Sequence, residues 1–159
     1  MLTKRTNDSI VPQDPITIGI IGGGQLGKMI AQEAKRMAIR IIILDPEKEC
    51  PAACIADEQI TADFKNESAI KKLGKRTDIV TYEIELANSS VLNQLQSHNH
   101  HVYPSPENLR IIQNKYRQKK FLKNNSIDTG EFHLIESVNQ LTHVIKKFGF
   151  PSVLKACED

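Results

Sequence analysis

The chain has 159 residues, with 21 Lys+Arg against 19 Asp+Glu, 40% hydrophobic residues and no Trp. A chain of this length buries roughly 70% of the surface its unfolded form exposes, enough for one domain or one domain and the start of another, which excludes a large multidomain architecture. Charges of both signs are interspersed without a single-sign block, so nothing marks a nucleic-acid arm or a polybasic membrane anchor.

Residues 1–14 hold Lys4, Arg5, Asn7 and Asp8 but no apolar stretch, and read as a disordered lead-in rather than a secretory signal. From Pro15 onward short β-branched runs alternate with segments of helical period, the pattern of an α/β chain with a parallel sheet covered by helices. Ile16–Ile21 is the first expected strand. A glycine turn follows, then a helix whose apolar positions Leu26, Met29, Ile30, Ala34 and Met37 are spaced to cover the sheet. Arg40–Leu44 is the second strand, stopped at Asp45-Pro46 because proline cannot continue a ladder. Its Ile41–Leu44 core is the longest pure run of large apolar residues, far short of the roughly 18 residues of a membrane span.

Ile60–Ala62 is expected as a short third strand and Glu67–Leu73 as a helix closed by Gly74 as its C-cap. Asp78–Tyr82 reads as a strand running into Glu83-Ile84-Glu85, Ser90–Gln96 as a helix, and His101–Tyr103 as the segment that closes this unit. Ser105 as N-cap and Pro106 at the first helical position start one long helix through Leu122, at a domain boundary. Beyond it a strand is expected over Glu131–Ile135, a helix capped by Ser137 and ended by Gly149, and a last strand over Pro151–Cys157. A final strand with nothing after it suggests a fragment cut inside a second domain.

Gly22-Gly23-Gly24-Gln25-Leu26-Gly27 matches G-x-G-x-x-G directly after a strand and at the start of a helix, where backbone N–H groups and the positive dipole end receive a phosphate. Asp45, 18 residues past Gly27 at the end of the second strand, stands where a Rossmann enzyme keeps its ribose-binding acid. Taken alone, Gly22, Gly24, Gly27 and Asp45 support an NAD-binding oxidoreductase domain. The alternative is that the same glycines only permit a tight turn with close helix–sheet packing and no ligand. Glu83 and Glu85, two apart on an extended strand, would project their carboxylates to one face at the sheet end where ligands bind. Lys155, flanked by Val153-Leu154 and Ala156-Cys157, is a cation in an apolar strand that calls for an anionic partner. Lys115 shares its helix with Arg117, Lys119, Lys120 and Lys123, mostly a solvated face. His98, His100 and His101 form a polar turn, with no acid or Cys spaced for a metal. Cys50, Cys54 and Cys157 read as reduced structural thiols of a cytosolic protein.

Several segments together, Gly19–Met29, Leu44-Asp45-Pro46, Thr81–Glu85, Tyr103–Glu107, Ile112–Lys115 and Phe150–Lys155, occur in an order that resembles the N-terminal part of 5-(carboxyamino)imidazole ribonucleotide synthases, ATP-grasp ligases of purine biosynthesis. Tyr103–Glu107 and Gln113–Tyr116 are most similar to the domain heading the fungal phosphoribosylaminoimidazole carboxylases. Bacterial members commonly carry arginine where this chain has Lys115, which keeps the cation and gives up bidentate geometry.

The resemblance implies a Rossmann-like pre-ATP-grasp substrate domain over 15–104, then a linker helix and the incomplete first part of an ATP-grasp domain over 105–159. It implies ligation of 5-aminoimidazole ribonucleotide with bicarbonate and ATP through carboxyphosphate, with Mg2+. Under it Gly24, Gln25, Leu26 and Glu83 face the ribonucleotide, Lys115 and Lys155 contact ATP, and Asp45 becomes structural or substrate-side. The glycine-rich flap and metal-binding acids of such ligases would follow Asp159, so the fragment alone is expected to be inactive, and the full-length enzyme a homodimer. A non-catalytic nucleotide-binding module is the remaining alternative.

Overall fold

β-Branched residues crowd on a pleated surface better than on a helix, and the runs that carry them form the sheet. The computed structural model describes residues 15–158, so the lead-in expected over 1–14 lies outside the described residues. These divide into two compact units between Tyr103 and Pro104. In the first, β1 (Thr17–Ile21), α1 (Gln25–Arg36), β2 (Arg40–Asp45), β3 (Glu58–Thr61), α2 (Glu67–Gly74), β4 (Ile79–Tyr82), α3 (Ser89–Ser97) and β5 (His101–Val102) follow in order.

All strand pairs are parallel, and the sheet order is β3-β2-β1-β4-β5. The expected α/β class, with helices on both faces, is what the chain adopts. On one face Ala31 and Ala34 of α1 pack with Ile20, Ile41 and Ile43. On the other, Leu73 of α2 lies so close over Gly19 that an added Cβ would come within 2.7 Å of it, and Leu95 of α3 packs against Gly74. Ile41 to Leu44 are all buried, which contributes about 1.5–3 kcal/mol per side chain.

Two local expectations change in this unit. The buried stripe of α1 is Gly27, Ala31 and Ala34, whereas Leu26, Met29, Ile30 and Met37 are exposed; small residues let the helix approach the sheet closely and turn the larger ones outward. Gly74 is not a left-handed cap. It is helical, α2 is capped by Lys75, and the glycine is there because Leu95 occupies the space of a side chain.

The second unit holds α4 (Pro106–Gln113), α5 (Lys115–Asn124) and α6 (Val138–Phe148). The single long helix expected through Leu122 is broken at Asn114, whose backbone is extended (φ −112°, ψ 109°) and whose side chain accepts the Arg117 N–H at 2.8 Å as the N-cap of α5. An asparagine that can bond the backbone three residues on competes with helix continuation. Neither Glu131–Ile135 nor Pro151–Cys157 forms a strand. Their apolar residues lack a ladder partner among the described residues, and a strand exists only when its N–H and C=O groups are paired.

Candidate functional site

Ligands of open parallel sheets bind beyond the carboxyl ends of the strands, where the chain order reverses. Here that point lies between β1 and β4, which are neighbours with Ile21 opposite Tyr82. The residues that leave these strands are Gly22 and Glu83, so topology alone brings the glycine turn and the acid together.

The turn is tightly fixed. Gly22 has φ +101°, a conformation costly for residues with a Cβ, and its N–H donates to Leu44 O at 2.9 Å. A Cβ at Gly22 would lie 2.7 Å from Glu83 Oε1, one at Gly23 would lie 2.3 Å from Cys50 Sγ, and one at Gly27 would lie 2.4 Å from the Gly22 carbonyl oxygen. Gly23 also accepts the Ala52 N–H at 2.8 Å. Cys50 is therefore a packing residue of the turn, and burial, with the nearby Asp45 charge, pushes its thiol above the ordinary range. That keeps it an unreactive thiol.

Two carboxylates meet the turn. Glu83 Oε1 accepts the Gly24 N–H at 3.2 Å, so the acid takes the part of the side-chain cap that α1 lacks and sits favourably at the positive end of the helix dipole. Asp45 Oδ2 accepts the Gly23 N–H at 2.7 Å and Oδ1 accepts the Glu47 N–H at 2.8 Å. The sequence offers Asp45 as a ribose-binding acid or, under the family resemblance, as a structural or substrate-side residue, but not these particular bonds; the Asp-Pro stop is the available signal that its side chain turns back on its own loop.

The structure thus brings Gly24 to Glu83, and Gln25 and Leu26 follow it as the first residues of α1. Gln25 and Leu26 are exposed and Glu83 half-buried. The strand geometry expected to align Glu85 with Glu83 is not kept. Residues 83–86 leave β4 in a bend and turn, so the two-residue alternation that would align both carboxylates ends at Tyr82.

In the second unit Lys115 opens α5, and its backbone N–H donates to Cys157 O at 2.8 Å while Asn114 Nδ2 donates to Glu158 Oε1 at 2.7 Å. These bonds hold the segment carrying Lys155 to the start of α5. Lys155 itself is exposed and outside any strand, so the argument that a buried cation there requires an anion does not hold. Among the described residues no group of three or more His, Cys, Asp or Glu is placed to hold a metal ion, all three cysteines are free, and no helix is long and apolar enough to cross a membrane.

Comparison with known proteins shows the same architecture elsewhere. Residues 16–113 match the ribonucleotide synthetase preATP-grasp domain. An N5-carboxyaminoimidazole ribonucleotide synthase of Bacillus subtilis is 38% identical over 140 residues, covering 88% of this chain and 37% of that protein. A phosphoribosylaminoimidazole carboxylase of Candida albicans is 39% identical over 149 residues, covering 90% of this chain and 26% of that protein. The crystal structure of the Aspergillus clavatus N5-carboxyaminoimidazole synthase in complex with ADP and 5-aminoimidazole ribonucleotide superposes with a TM-score of 0.79 at 35% identity, covering 86% of this chain and 37% of that one. The chain therefore spans between about a quarter and little more than a third of the length of these relatives. With its glycine turn, its β3-β2-β1-β4-β5 sheet and a family match across 16–113, the chain belongs to the ribonucleotide synthetase preATP-grasp family.

Proposed function

We propose that this chain supplies the ribonucleotide-binding part of an ATP-dependent carbon–nitrogen ligase that carboxylates 5-aminoimidazole ribonucleotide. Glu83 beside the glycine turn at the switch point is the observation that carries the reading. The Aspergillus relative solved with ADP and this ribonucleotide supports it. Glu83 Oε1 holds the Gly24 N–H, and the second carboxylate oxygen is the acceptor we assign to the hydroxyl or amine donors of the ligand. Gly24, Gln25 and Leu26 form the wall that faces it.

Lys115 and Lys155 are assigned to ATP, and the bonds that join their segments hold that half-site together. ATP, with magnesium, would supply the phosphoryl group that activates bicarbonate, with ADP leaving, and the substrate amine would then take the carboxyl group as phosphate leaves. Phosphoryl transfer depends on charge positioned around the phosphates. We assign the metal-binding acids to the part of the longer relatives that this chain does not span. The working enzyme is read as a cytosolic homodimer.

An NAD-binding reading keeps the glycine motif but finds its acid already engaged, since both oxygens of Asp45 hold backbone N–H groups. Thermal unfolding of the chain separates the two. Ribonucleotide at about 100 times its Kd adds about 2.7 kcal/mol of stability; this gain is expected with 5-aminoimidazole ribonucleotide and is expected to vanish in Glu83→Gln. Stabilisation by NADH and not by the ribonucleotide contradicts the proposal.

A further inference from the structure

A glycine turn at a helix start receives a phosphate through its free N–H groups. In this chain two of those groups are already taken by the protein's own acids. Asp45 is 6% exposed and uses both oxygens, one on Gly23 N–H at 2.7 Å and the other on Glu47 N–H at 2.8 Å. Glu83 Oε1 holds Gly24 N–H at 3.2 Å. The surroundings are close as well: Glu83 Oε1 would lie only 2.7 Å from a Cβ on Gly22, and Cys50 Sγ only 2.3 Å from a Cβ on Gly23. A phosphate entering the turn would displace a short, buried hydrogen bond and face two like charges.

We propose that Asp45 is the positioning and selectivity residue of the turn. Its carboxylate fixes the Gly23 peptide and, together with Glu83, occupies the place of an anion, so the turn rejects the phosphate end of a nucleotide and receives the hydroxyl- and amine-bearing end. The identity of the ligand rests on the ribonucleotide reading above; the exclusion of phosphate does not. Asp45 in this role acts through Gly23 rather than by touching the ligand.

Calorimetric titration of the whole chain with inorganic pyrophosphate, in the wild type, Asp45→Asn, Glu83→Ala and the double variant, tests the exclusion. The double variant is expected to bind pyrophosphate at least about tenfold more tightly than the wild type, a difference of about 1.4 kcal/mol, with the single variants between. Equal affinity in wild type and double variant overturns the proposal. Amide hydrogen exchange keeps the test open if the double variant does not fold. Gly23 N–H should exchange faster in Asp45→Asn and Gly24 N–H faster in Glu83→Ala, each without change at Ile42 in the sheet centre, and unaltered rates in both overturn it. Titration with 5-aminoimidazole ribonucleotide and with its phosphate-free nucleoside isolates the ligand question. If neither binds while pyrophosphate behaves as expected, the ribonucleotide reading falls and the role of Asp45 stands.

Discussion

The two units differ in how their apolar residues are used. In the first, both faces of a five-stranded sheet are covered and Ile20, Ile41, Ile43, Leu73 and Leu92 are completely buried. In the second, α5 and α6 contain no buried residue, and Val138, Phe150, Val153 and Leu154 are exposed. The amphipathic pattern of Leu141, Val144 and Ile145 resembles that of any core-facing helix, yet those side chains are only half-buried. A pattern specifies which face is to be buried, and burial then requires an element to receive it. The glycine turn belongs to the well-packed unit, which suits a site that must hold carboxylates within hydrogen-bond distance of particular N–H groups.

Large-to-small substitutions should show the contrast most strongly. Ile43→Ala is expected to destabilise by about 4 kcal/mol through lost burial and the cavity left behind, whereas Val153→Ala should stay within about 0.5 kcal/mol. Urea denaturation of both variants measures the difference, and similar losses would mean that the second unit has a core of its own. Glycines sharpen the same comparison. An added Cβ at Gly27 meets the Gly22 carbonyl oxygen, which is backbone and cannot swing away, whereas at Gly130 it meets nothing within 4 Å. Gly27→Ala should therefore lower stability by about 3 kcal/mol, and Gly130→Ala should be neutral or raise it by up to about 1 kcal/mol.

Asp45→Ala, which leaves the Gly23 and Glu47 N–H groups without their acceptor, is expected to cost about 2 kcal/mol. A loss below about 0.5 kcal/mol in the same denaturation series would show that water replaces the carboxylate readily and that the turn is less closed than its contacts indicate. The smallest effect is the pH dependence. Hydrogen bonding to Lys35, then to Ile41 N–H, holds the Asp57 carboxyl below its ordinary range, and the Arg76 guanidinium does the same for Glu58. Both acids are more acidic folded than unfolded, so their stabilisation is complete above about pH 4.5, the ordinary glutamate value, and is lost as pH falls through the folded values. The side chains are about one-third exposed, so solvent screens both pairs and their contributions are small. Stability curves from pH 6 to 2 should fall less steeply in Arg76→Ala than in the wild type.

Much of the first unit was legible because its signals are local. β-Branched runs placed β1, β2 and β4, and the glycines after β1 placed the turn and the start of α1. What escaped depends on partners far away in the chain. Gly27 and Ala31 join the expected Ala34 as the inner stripe of α1, in place of the larger residues, because the sheet lies too close for leucine or methionine. Glu83 was singled out by its place at a strand end, but its bond to Gly24 N–H follows from β1 and β4 being neighbours, which hydropathy does not reveal. Asn114 carried its own signal, a capping residue before a helical run, and was overridden by the continuous apolar stripe from Leu109 to Tyr116. Apolar patterns over Glu131–Ile135 and Pro151–Cys157 resembled strands because a strand pattern records a side-chain preference and says nothing of whether a ladder partner is there.

The most direct test of the central claim is amide chemical-shift mapping of the isotope-labelled chain with 5-aminoimidazole ribonucleotide. The account predicts saturable shifts at Gly24, Gln25, Leu26 and Glu83, lost in Glu83→Gln while the remainder of the spectrum is unchanged. Shifts confined to other residues, or the same set of shifts produced by NADH and not by the ribonucleotide, would contradict it.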